Sequence, residues 1–358
     1  GDGDTGDGDT GDGDGDTGDG DTGDGDTGDG DTGDGDTGDG DTGDGDTGDG
    51  DTGDGDTGDG DTGDGDTGDG DTGDGDTTVT LPDSPDNPWI AFVQIDGAGF
   101  GQLFFIKADG TGQHEYSGSS FSESSPAWSP DGDRLAFTAG ADLVVLDFTD
   151  DSESTIDTGD LERLTRPKWV DDDTIIVSGN EADGDSALWS VDVANGGVTQ
   201  ITSSASGDGG HDVAHDGTVY FVRNDGSFEV WSIDAGASTS DDPTKITDGS
   251  NIIGGVTVHP DGSKLLFAAS AGDTTDLTEY TLSDDSEAVI GEKGDEQGAY
   301  FAGGDGLVVN RDTFDADSEI VVTDGSGTLV TRVTDDSSLN TSPAVNSKES
   351  DGMDPTVF

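Results

Sequence analysis

The 358-residue sequence predicts an all-β chain: a six-bladed β-propeller preceded by an extended Gly/Asp/Thr tract that orders only on calcium binding and assembly. Two observations carry that expectation. Residues 1–77 are Gly, Asp and Thr alone, so they hold nothing able to build a core. From Thr78 onward, short aromatic and β-branched runs alternate with Asp-Gly turns at a spacing of 41 to 46 residues, the length of one four-stranded blade.

The tract is Gly-Asp-Gly-Asp-Thr in fifteen copies, the third lengthened by one Gly-Asp between Gly11 and Thr17. Alone it is expected to be expanded by its own charge, because ordering a Gly-rich backbone costs about 1–2 kcal/mol per residue. Each repeat brings two carboxylates, so one Ca²⁺ per repeat leaves it neutral. Ca²⁺ takes six to eight hard oxygens in a tolerant geometry, whereas Mg²⁺ keeps its waters and a strict octahedron. The candidate ligands are the carboxylates of Asp2, Asp4, Asp7, Asp9, Asp12, Asp14, Asp16, Asp19, Asp21, Asp24, Asp26, Asp29, Asp31, Asp34, Asp36 and Asp39, continuing with Asp41, Asp44, Asp46, Asp49, Asp51, Asp54, Asp56, Asp59, Asp61, Asp64, Asp66, Asp69, Asp71, Asp74 and Asp76. In an extended chain Asp2 and Asp4 share a face, and the odd period sends Asp7 and Asp9 to the other. The two-residue insertion keeps that alternation. Such a strand has no partner within itself, so ordering implies self-association. A disordered ion-binding spacer is the competing reading. The tract resembles the Asp/Gly-rich repeats of calcium-laddered microbial extracellular fibres, and the resemblance implies a fibre core with Ca²⁺ as its cofactor.

The remaining 281 residues hold 53 of the 84 acids and all 12 Lys and Arg, within a formal net charge of −72. Such a surface repels nucleic acid and anionic membranes, which need clustered bases. A Lys-poor acidic domain also fits a high-salt habitat, where ions screen its self-repulsion. There is no Cys, and no apolar run long enough to span a membrane. The chain is expected to be extracellular, secreted or at the cell surface.

The clearest repeat unit runs Ser125-Pro126-Ala127-Trp128-Ser129-Pro130-Asp131-Gly132 and continues at Leu135-Ala136-Phe137, a strand, a Pro-Asp-Gly turn and a second strand. Val256 to Phe267 repeats it, and Pro167 to Asp172, His211 to Gly217 and Gly303 to Gly306 are weaker copies. Turn acids at Asp86, Asp131, Asp172, Asp216, Asp261, Asp305 and Asp351 keep the period. Third strands follow at Leu143 to Leu146, Leu188 to Val191, Val230 to Ile233 and Ile320 to Val322. These units resemble the repeats of TolB-type (PD40-repeat) propellers over about residues 84–350, which implies that fold and a binding rather than a chemical role. Ser342 to Val345 reads as a first strand and Trp89 to Gln94 as a second, so the termini are expected to share one blade. The domains are therefore 1–77 tract, 78–88 linker and 89–358 propeller.

Trp128, Trp169, Trp189 and Trp231 read as equivalent strand positions packed between blades. His215 and His259 stand where Ser129 does, before the turn, and no metal role is expected of them. No GxSxG elbow, HExxH helix or phosphate loop is present, so no enzyme is expected. Asn340-Thr341-Ser342 is a candidate N-glycosylation site at Asn340. The propeller's own ligand is not specified by any motif.

Overall fold

In the computed structural model, which describes residues 87–358 apart from 119, 183, 271–274, 291–294, 313–317, 336–337, 349–352, 354 and 358, antiparallel four-strand meanders follow one another along the chain. The Gly/Asp/Thr tract with its candidate calcium ligands, residues 78–86 of the linker and the anchors Asp86 and Asp351 lie outside the described residues.

The chain opens with β1 (Trp89–Ile95), β2 (Gly101–Lys107) and β3 (His114–Glu115). A first separate sheet holds β4 (Glu123–Trp128), β5 (Arg134–Ala139), β6 (Asp142–Asp147) and β7 (Ser152–Ile156). The next holds β8 (Glu162–Trp169), β9 (Thr174–Asn180), β10 (Ala187–Asp192) and β11 (Val198–Gln200). Then come β12 (Asp208–Val213), β13 (Thr218–Asn224), β14 (Phe228–Asp234) and β15 (Thr244–Lys245). The fourth holds β16 (Ile252–Val258), β17 (Lys264–Ser270), β18 (Thr275–Thr281) and β19 (Ser286–Val289). The last strands are β20 (Asp295–Tyr300), β21 (Gly306–Asp312), β22 (Ser318–Asp324), β23 (Leu329–Arg332) and β24 (Leu339–Val345). These join β1–β3 in one eight-stranded sheet, whose two antiparallel halves, β20–β23 and β24-β1-β2-β3, meet through the single parallel pair Ser318↔Leu339.

This is an all-β propeller. The expected sharing of a blade by the two ends is present: β24 pairs antiparallel with β1, with Ile90 opposite Val345 and Ile95 opposite Leu339. Middle strands are covered on both faces, which is why β9 reads Ile-Ile-Val rather than alternating polar and apolar. Six apolar seams join successive meanders. One sets Ala136 and Leu143 against Trp169 and Ile175, and another sets Val308 and Ile320 against Ile90 and Phe92. The seam of Ala91, Leu103 and Phe105 with Leu135 and Phe137 then brings the last meander back to the first separate sheet.

The Pro-Asp-Gly turns form as expected. Gly132 and Gly262 sit at φ of +71° and +73°, and their N–H groups donate to the carbonyls of Ser129 and His259 at 2.9 and 2.8 Å. Two assignments shift. In the weakest copy the turn glycine is Gly304, donating to Phe301 O, so Asp305 lies one residue past it. In the shorter turn near residue 215, Ala214 takes the place of Ser129, because its N–H donates to Thr218 O; His215 follows it and is exposed. The tryptophans also divide into two pairs. Trp128 and Trp169 end inner strands and donate across a seam to Ala344 O and Ala127 O, whereas Trp189 and Trp231 lie on third strands.

Candidate functional site

The first strand of each meander, β4, β8, β12, β16, β20 and β24, carries a local irregularity in its pairing with the second strand. In five of them the described backbone turns left-handed, at Ser125, Arg166, Gly210, Gly254 and Ser342, with φ between +53° and +85°, and β8 does so a second time at the exposed Arg163. Three of these residues precede a proline, Pro126, Pro167 and Pro343. The physical reason is that a bulge leaves a residue out of the ladder, where a proline's missing N–H costs nothing. The Ser-Pro of the repeat unit is thus a bulge signature, which the sequence reading took only as strand.

A bulge re-aims its side chain. Each of the six inner strands lies against the next, and β24 lies against β4, so they surround one channel. It contains a cavity of about 300 Å³ whose wall includes Ser125, Arg166, Gly255, Gln297 and Ser342, one or more from each of five strands, and Asp212 from β12. Serine or glycine occupies four of these positions; of the left-handed residues Arg166 alone brings a long charged side chain to the cavity wall.

Gly255 makes room for it. A Cβ on Gly255 would stand 1.9 Å from Arg166 Nη1, so the guanidinium lies directly against the β16 backbone. Burial pushes the Arg166 guanidinium below its ordinary range, opposed by the negative charge of Asp212. Asp212 is already committed. Its Oδ1 is 3.3 Å from Lys168 Nζ, and its Oδ2 accepts from Val258 N–H at 2.8 Å. Among the described residues Arg166 itself makes no hydrogen bond or ion pair. Gln297 Oε1 accepts from Ser342 N–H at 3.2 Å, which leaves its amide nitrogen as a donor.

His211, adjacent on β12, turns away from the channel. It is fully buried, its Nδ1 3.0 Å from Ser178 Oγ and its Nε2 donating to Ile176 O at 3.1 Å. Burial pushes its pKa down to about 3, so it is a neutral structural ring. His211 and His215 do not converge, and among the described residues no group of three or more His, Asp or Glu is placed to hold a metal ion. Asn340 is fully buried in β24, with Nδ2 3.4 Å from Thr334 Oγ1 and 3.5 Å from Glu319 Oε2. A sugar at Asn340 would have to be attached before the blade closes.

No family model and no curated protein matches the sequence. Solved structures do match the fold. TolB from Acinetobacter baumannii is similar at a TM-score of 0.63 and 16% identity, over 72% of this chain and 66% of that one. A putative TolB from Agrobacterium tumefaciens is similar at 0.55 and 19%, over 74% and 92%. A chain of a nidogen/laminin complex is similar at 0.59 and 10%, over 73% and 99%. The chain thus spans just under two thirds of the Acinetobacter protein. At these identities the likeness is one of architecture, and the described part of this chain has the TolB-like β-propeller fold.

Proposed function

We propose that the chain is a non-catalytic, extracellular binding protein whose propeller takes its ligand at the central channel. The observation behind this reading is the channel wall itself: small residues at most of the bulges leave it open, and the long cationic side chains of Arg166 and Lys168 line it. We read the eight-stranded sheet as two blades, which makes six with the four separate sheets and matches the six apolar seams. The propeller domain is taken as 89–358, following the 78–88 linker. The test is a peptide and glycan array probed with the full chain and with a Ser125→Trp/Ser342→Trp variant that fills the channel. Binding is expected to be lost in the variant; undiminished binding places the site elsewhere.

A second reading concerns the tract, and rests on its two carboxylates per odd-length repeat. In it, Ca²⁺ bridges tracts of neighbouring chains into an extracellular fibre that the propellers decorate. Electron microscopy of the full chain with Ca²⁺, before and after a chelator, is expected to show filaments that dissolve on chelation. Absence of filaments at saturating Ca²⁺ sinks the fibre and leaves the spacer.

A further inference from the structure

We propose that the channel is a carboxylate-binding site, in which the Arg166 guanidinium grips both oxygens of the ligand's carboxylate. The inference rests on the channel being the propeller's binding site and names what it takes.

The argument begins with cost. Holding a charge in a narrow channel without a counter-charge is unfavourable, and proteins relieve that cost by pairing the group. Arg166 sits at a strained left-handed bulge, against a glycine that makes room for it, and among the described residues it has no hydrogen-bond or ion-pair partner. The nearby acid, Asp212, is neutralised by Lys168 and by Val258 N–H. Among the described lining residues, Lys168 and Arg166 against Asp212 leave one net positive charge, inside a chain that carries −72. In a chain of such negative net charge, a local positive surplus is what makes anion capture feasible.

The geometry of the cation selects the anion. A guanidinium is a planar fork that matches a carboxylate with two parallel N–H···O bonds, which a lysine cannot reproduce. The Ser125 and Ser342 hydroxyls and the Gln297 amide nitrogen supply further neutral donors around it. A cavity of about 300 Å³ is at the small end for ligand sites. It suits a small organic acid, or one aspartate side chain presented on a thin backbone. The Gly-Asp-Gly-Asp-Thr repeat of a second copy of the chain is such a backbone. The shared chemistry is the carboxylate; its two sources are separated by experiment.

The full chain has six arginines. In the ¹⁵N-labelled protein, the Nε–Hε resonance that disappears in Arg166→Gln is that of Arg166. Titration with malonate is expected to move this resonance alone, saturably, if a free acid is the ligand. If a tract aspartate of a second copy fills the site, the resonance is insensitive to malonate and instead moves when saturating Ca²⁺ draws the tract carboxylates away. A Cβ in Gly255→Ala meets chiefly the end of the flexible Arg166 side chain, with the Gly210 carbonyl 3.1 Å away, so it is expected to weaken the responding interaction at least tenfold with only a small shift of the unfolding midpoint. An Arg166 resonance indifferent to both malonate and Ca²⁺ overturns the proposal. If array binding is nonetheless lost in the channel-filling variant, the carboxylate assignment fails and the binding reading stands.

Discussion

Replacing Glu229 by Gln, which keeps shape and removes charge, tests how a third strand is tied to the segment that leads into the next meander. Glu229 is buried on β14, and its carboxylate accepts four hydrogen bonds. Oε1 takes Ser227 Oγ at 2.8 Å and Gly249 N–H at 2.7 Å, while Oε2 takes Thr247 Oγ1 at 2.7 Å and Ser250 N–H at 3.4 Å. Burial alone would raise its pKa, but these donors outweigh it and hold the carboxyl below its ordinary 4.5. A glutamine retains one oxygen, and its NH₂ must then face a hydroxyl and a backbone N–H. Losing charge assistance on two bonds and stranding one donor amounts to about 3 kcal/mol, from about 1.5–3 per charged bond and about 1–3 per unsatisfied group. A depressed carboxyl pKa contributes stability that is complete above 4.5 and disappears as the pH falls through the folded value. Urea unfolding of wild type and E229Q, followed by tryptophan fluorescence in constant salt, should therefore show a gap near 3 kcal/mol at pH 7. That gap should be flat down to about pH 5.5 and shrink below 4.5. A gap under about 0.5 kcal/mol at pH 7, or one unchanged in acid, refutes the reasoning.

Trp169→Phe removes the donor to Ala127 O at 3.0 Å across a buried seam and should cost about 1–3 kcal/mol in urea unfolding. Trp231→Phe should cost less, because the buried Trp231 Nε1 has no partner to lose; equal costs would contradict the bond's importance. His211 is held neutral with a pKa of about 3, so its contribution to stability is whole above 6.5 and declines by about 1.4 kcal/mol per pH unit as the pH drops toward 3. Its Cε1–H NMR shift should stay constant from pH 8 to 4, and a midpoint near 6 would show that the ring is not sealed in.

The propeller was legible because its local signals repeat: Pro-Asp-Gly turns, an apolar middle strand, and a first-strand pattern at Ser342 to Val345 that needs Trp89 to Gln94 beside it. The slip at His215 occurred where the turn is one residue shorter, and that at Asp305 where a turn of unchanged length carries Gly303 in place of the turn acid, neither of which periodic counting senses. The channel was less legible. Whether Ser125, Arg166 and Ser342 converge depends on the ring, which places residues far apart in the chain on one wall. One signal was available, since Arg163, Arg166 and Lys168 put three of the twelve bases within six residues of an acidic chain. Buried Asn340 shows the reverse case, a sequon whose local motif says nothing of the Glu319 and Thr334 groups around it.

The pairing of β24 with β1 also sets a clock. Ile90 cannot meet Val345 until about 250 further residues have left the ribosome, which at about 5–20 residues per second takes roughly 12 to 50 s. Throughout that interval Trp-Ile-Ala-Phe-Val-Gln-Ile has a neighbour on the β2 side only, and its other edge is a row of free donors and acceptors. The strand most exposed to wrong partners is therefore the one made first. A β24 from another chain offers the same register, so crowding during synthesis favours exchanged blades, and slower or more dilute production should yield more monomer.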